Sequence, residues 1–164
     1  MRDETIRPIF WGRGEGQSVR NPIAGAIEFK ARAEQTAGTL TAFESAPAPG
    51  EGPPLHVHPD VDEVIYFVDG LFRLKIEDVV RNAPLGSFTF LPKGVPHAWQ
   101  NIGDEPGRLL VMFLPASAAM EQFFERFAAE APGGPSISET FATLAEAGGM
   151  NVVGPALVQS DPLV

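Results

Sequence analysis

All three histidines of this 164-residue chain fall within residues 50–101, at fixed distances from one glutamate and a set of glycines and prolines. Residues Gly50 to Gly70 read GEGPPLHVHPDVDEVIYFVDG, which places His56 and His58 at i and i+2 between a Pro-Pro pair and a Pro-Asp turn signal. On a strand, that spacing aims both imidazoles at one face, roughly 7 Å apart. Glu63 follows His58 by five residues, an odd offset that points away on an unbroken strand. The chain is therefore expected to turn at Pro59-Asp60-Val61 and bring Glu63 back on a neighbouring strand.

Gly86 to Asn101, GSFTFLPKGVPHAWQN, repeats the device. An apolar strand runs into Leu91-Pro92-Lys93-Gly94, read as a type I turn with Pro second and Gly fourth, after which His97 enters the next strand. Three imidazoles and a carboxylate converging from adjoining strands suit one divalent first-row metal (Fe, Ni, Co, Mn, Cu or Zn) better than Ca or Mg, which prefer oxygen. Asp60 and Asp62 flank the cluster, but their place at a turn explains them without a ligand role.

These residues resemble the two motifs of the cupins. The first, G-x5-H-x-H-x4-E-x6-G, is filled by Gly50, His56, His58, Glu63 and Gly70, and the second, G-x5-P-x-G-x2-H-x3-N, by Gly86, Pro92, Gly94, His97 and Asn101. The resemblance implies that His56, His58, Glu63 and His97 are metal ligands. It also implies a mainly β fold: an antiparallel jelly-roll barrel with one or two C-terminal helices packed on it, in chains that commonly form homodimers.

The remaining pattern agrees with many short strands. There are 17 glycines and 16 prolines, and apolar alternation appears at Ile27/Phe29, Leu40/Ala42 and Phe72/Leu74/Ile76, with Arg73, Lys75 and Glu77 expected to face water. Ile6 to Trp11 reads as a short edge strand and Gly12 to Gly16 as a mobile loop; Asp69-Gly70 reads as a tight hairpin. After the strand Arg108 to Leu114, the period changes to 3.6. Met120, Phe123, Phe124, Phe127 and Ala128 mark an amphipathic helix from about Ser117 to Glu130. Pro132 to Pro135 breaks it, and a Ser136/Glu139 capping box opens a second helix carrying Phe141 and Leu144, which ends at Gly148-Gly149. The expected organisation is one domain over 1–164: a barrel over about 25–115, a helical extension over about 116–149 and a patternless tail over 150–164.

A net charge of −9 disfavours nucleic acid and anionic lipid as partners. With no cysteine, thiolate chemistry is excluded, and with every histidine committed to the metal cluster a Ser-His-Asp triad is not sustained. The N-terminus lacks an apolar targeting core and the longest apolar run, Leu109 to Leu114, is too short for a membrane span, so a cytoplasmic location is the simplest expectation.

Alternation places Ile65 and Phe67 on the face of Glu63, and Trp99 on that of His97, as candidates to line a substrate cavity; Phe43 and Met112 are further candidates. Several softer features are similar to small single-domain quercetin 2,3-dioxygenase-like cupins over about residues 25–160. They are the run Ala46 to His58, the short segment between motifs, a Phe-rich helix directly after Pro115, and Val153-Gly154-Pro155. That likeness implies an O2-dependent dioxygenase on a flavonol or other enolisable phenolic, with Glu63 as both ligand and general base, and ring opening with release of carbon monoxide. The alternatives are a metal-dependent isomerase or decarboxylase of a small polar metabolite, and a non-catalytic small-molecule-binding module.

Overall fold

The computed structural model describes residues 6–133 and 136–163. Eleven strands occur among them: β1 (Gln17–Asn21), β2 (Gly25–Ala31), β3 (Thr41–Ala46), β4 (Pro54–Val57), β5 (Asp62–Asp69), β6 (Leu71–Ile76), β7 (Val79–Pro84), β8 (Phe88–Leu91), β9 (His97–Asn101), β10 (Arg108–Leu114) and β11 (Asn151–Ala156). Two helices, α1 (Ala118–Glu130) and α2 (Ile137–Ala145), separate β10 from β11, and a single turn, α3 (Leu157–Ser160), follows it.

The strands form two antiparallel sheets, one in the order β1-β2-β3-β10-β5-β8 and the other β11-β4-β9-β6-β7. The architecture is the expected jelly roll, with the two ladders separate rather than closed into one continuous barrel. Alternation decides what fills it. In the six-stranded sheet, Phe29, Phe43, Val111 and Ile65 stand in one cross-strand row, and Thr41, Phe113, Glu63 and Leu91 in the next. All eight side chains are turned inward and buried. Glu63 is thus one place in an otherwise largely apolar interior row.

Helix α1 begins where Ser117, as N-cap, accepts a hydrogen bond from the Met120 N–H. Its stripe of Met120, Phe123, Phe124 and Phe127 is buried, and Phe124 meets Phe43 at 4.9 Å between ring centroids. Helix α2 is capped by Ser136, whose hydroxyl accepts from the Glu139 N–H and donates to the Glu139 carboxylate. Phe141 of α2 then packs edge-on against Phe123 and Phe127 at 5.2 and 5.4 Å. Both helices were legible at these positions, although residues 134 and 135 of the expected break lie outside the described residues.

Several local expectations need correction. Asp69-Gly70 is not a hairpin: β5 and β6 belong to different sheets, and Gly70, at φ 95°, turns the chain from one to the other beside the Gly107 backbone. The β6–β7 hairpin instead turns at Glu77-Asp78. The second-motif turn is shifted by one residue: the Val95 N–H bonds to the Pro92 carbonyl, and Gly94 at φ 82° occupies the third position, where a type II turn requires it. Ile6 to Trp11 forms no strand, and the Gly12 to Gly16 loop is tied down by its amides, Gly12 donating to Glu15 and Gly16 to Glu28. Arg73 does not face water. It is buried, and its guanidinium donates to the Gln100 side chain and to the Leu157 carbonyl, so the tail read as patternless covers this sheet face.

Candidate metal centre

His56 lies on β4 directly opposite His97 on β9, the one register pair between those strands. His58 stands just past the end of β4, and Glu63 comes from β5 on the facing sheet. The four candidate ligands are therefore drawn from both sheets, where the spacing alone suggested adjoining strands. All four side chains are buried, and one donor atom from each lies within 4.8 Å of the others, a group that could hold a metal ion. Asp60 and Asp62 take no part; Asp62 accepts the Lys93 N–H at 2.9 Å, as a turn residue does.

The imidazoles are oriented from behind. His56 Nδ1 lies 2.8 Å from the Pro54 carbonyl oxygen and His97 Nδ1 lies 2.9 Å from that of Val95; His58 Nδ1 makes a longer 3.4 Å contact with the Gly149 oxygen. A carbonyl oxygen only accepts, so each Nδ1 carries a hydrogen, which leaves Nε2 as the ring nitrogen available to a metal. That arrangement fits a metal site, in which the outer ring nitrogen is fixed by a hydrogen bond while the inner one ligates. Glu63 Oε2 lies 2.6 Å from His97 Nε2 and 3.2 Å from His58 Nε2.

The charges are coupled. Burial works against the charged form of Glu63, but His97 and His58 outweigh it and hold the carboxyl far below its usual range. Burial likewise opposes charge on His97, yet the adjoining Glu63 carboxylate raises its pKa above 6.5. His56 moves the other way: burial, then the neighbouring imidazoles of His97 and His58, hold it well below 6.5 and keep it a neutral donor.

Beside these ligands is a cavity of about 50 Å³. Phe43 and Trp99 line it, as expected. Ile65 and Phe67 share Glu63's face but pack deeper in the core, Phe67 against Phe72 at 5.3 Å, and Met112 sits on the opposite face of β10 from the lining residues Val111 and Phe113. The sequence reading missed the walls supplied by Asn21, Ser45, Met120, Phe123, Phe141 and Met150. For the helical members a signal existed, since the Phe stripe of α1 must face some interior surface. None of the cavity-lining residues is a lysine or arginine.

Comparison with known proteins places these observations. The Cupin domain family matches residues 44–113, the span that carries all four candidate ligands. Protein SchB of Streptomyces halstedii is 34% identical over 77 residues, 46% of this chain and 56% of SchB, so the match spans little more than half the length of that relative. Among solved structures, KdgF from Halomonas sp. superposes with a TM-score of 0.60 at 20% identity, covering 68% of this chain and 98% of KdgF. An RmlC-like cupin from Shewanella frigidimarina gives 0.57 at 20% identity over 65% of this chain and 90% of the other. Oxalate decarboxylase of Lactobacillus farciminis gives 0.52 at 26% identity over 61% of this chain and 31% of that one.

Proposed function

We propose that this chain, a member of the cupin superfamily, is a metal-dependent dioxygenase acting on a neutral, enolisable, flavonol-like phenolic. The observation that carries the reading is the contrast at the centre: four convergent donors from His56, His58, Glu63 and His97 at the edge of a cavity whose other walls are mainly Phe, Met, Ile and Val. With no lysine or arginine among the lining residues, a polar or charged metabolite would have only the metal centre itself to pair with and would meet mainly apolar walls elsewhere. An uncharged aromatic surface suits them better.

A divalent first-row ion bound by these four side chains would act as a Lewis acid, lowering the pKa of an enolic hydroxyl. Glu63 then has two roles in the proposal. One carboxylate oxygen holds the site together, and the carboxylate accepts the enolic proton, leaving an electron-rich carbon to react with O2. Phe43, Phe113 and Trp99 exclude water from that proton.

Glu63→Gln removes the base while keeping an oxygen donor. With metal occupancy restored, this variant is expected to lose flavonol-dependent O2 uptake by roughly 100-fold or more, the scale of general base catalysis. Wild-type rates at full occupancy would remove the base role. If metal-replete wild type consumes no O2 with any flavonol or related phenolic, the dioxygenase reading itself fails. We further propose that the chain works as a homodimer, joined through the outer face of β5 and β8, where Tyr66, Phe88 and Phe90 are exposed.

A further inference from the structure

We infer that the groove between α2, β11 and the loops at residues 22–23 and 50–54 is the second half of the substrate site. It would hold the bulk of a flat, neutral, largely apolar molecule, while the hydroxyl-bearing end reaches the metal centre past Phe141 and Ile23. This inference rests on the substrate class proposed above.

Size argues for it first. A space of about 50 Å³ beside the candidate ligands accepts a water or a small terminal group, whereas an apolar cavity that takes benzene measures roughly 150 Å³. No aromatic substrate can lie wholly within it. The groove measures about 420 Å³, within the range of roughly 300 to 1,000 Å³ usual for small-molecule sites.

Position argues for it next. Ile23 and Phe141 line both the groove and the metal cavity, so the two spaces adjoin at those side chains. Phe141 is buried, with edge contacts to Phe123 and Phe127, and Ile23 is half-buried. Turning either side chain aside joins the two spaces without breaking a strand ladder.

Chemistry argues for it last. Ile137, Val152 and Val158 present exposed apolar side chains to the groove, although exposed positions usually favour polar residues. Glu51 is the only ionisable side chain lining it. An anionic ligand would meet repulsion there with no compensating cation, and a neutral aromatic one would bury apolar surface.

Two measurements on the full chain test this. In a Trp11→Phe background Trp99, which lines the metal cavity, is the sole tryptophan, and its quenching by acrylamide reports access. Phe141→Ala, or Ile23→Ala should the first variant fold poorly, is expected to raise the quenching constant severalfold. Separately, Ala142→Phe fills the groove from the exposed side of α2, away from the metal ligands. Zinc-loaded protein carrying it should bind hydroxyflavone at least about tenfold more weakly than wild type, with zinc content unchanged. Unaltered quenching in both cavity-wall variants, equal hydroxyflavone binding in Ala142→Phe, or no hydroxyflavone binding to wild type would each overturn the inference. Hydroxyflavone that binds in the groove but is never oxidised by protein loaded with a redox-active metal would instead overturn the dioxygenase reading and leave the groove standing.

Discussion

Three histidines can serve one ion only if each turns a ring nitrogen inward, and here a backbone carbonyl beside each Nδ1 leaves that to Nε2. That these four residues would gather in one place was legible because a metal site needs particular side chains at particular spacings. The carbonyls that orient them were not, since any residue can supply one. Protonation of this set has a direction. His97 is raised by Glu63 and keeps a proton that a metal must displace, whereas His56, held low, offers nothing to release. Zinc binding is therefore expected to release protons, and the apparent affinity to rise with pH until His97's raised titration is passed. Calorimetry in buffers of different ionisation enthalpy measures the proton count; an affinity that does not change with pH would contradict the assignment.

At the scale of elements, strands with one buried face announced themselves and strands without one did not. The alternation of β5, β6 and β10 was readable, while β1, with Val19 as its only apolar residue, was not, and Ile6 to Trp11 drew the assignment instead. Strand β11 was hidden by Gly154 and Pro155 and by the irregularity between Val152 and Ala156, features that belong at a sheet edge. Arg73 misled for a related reason: alternation assigns it to the outer face correctly, but nothing in its own strand shows that Leu157 will cover that face. The helices matter to stability as well as to the cavity. Phe127 is fully buried, stacked on Phe123 at 5.6 Å and met edge-on by Phe141. Phe127→Ala is expected to cost about 3 to 5 kcal/mol. In a chain of this size that corresponds to a melting temperature lower by on the order of 10 °C. A thermal denaturation curve unchanged by the substitution would mean that α1 does not contribute to the core.

For the molecule as a whole, the two-sheet architecture lets one centre gather His56 and His97 from one sheet and Glu63 from the other, so assembling the site requires the sandwich to close. No helix among the described residues is long and apolar enough to cross a membrane. The outer face of the six-stranded sheet ends at β8, an edge strand whose Phe88 is 64% and Phe90 52% exposed. An exposed aromatic edge of this kind usually finds a partner. Sedimentation is expected to give twice the chain mass for the wild type and the single-chain mass for a Phe88→Lys, Phe90→Lys double variant, while a wild type that stays monomeric at every concentration would rule out the homodimer.

The central claim is that His56, His58, Glu63 and His97 hold one ion between the sheets. Elemental analysis of protein purified without added metal and then reconstituted tests it most directly, with a folded His56→Ala, His97→Ala double variant treated in parallel. The account predicts about one divalent transition metal per wild-type chain and a large loss in the variant, since removing half the ligand set leaves too few donors for a closed site. Equal metal content in the two proteins, or a wild type that retains none after reconstitution, would contradict it.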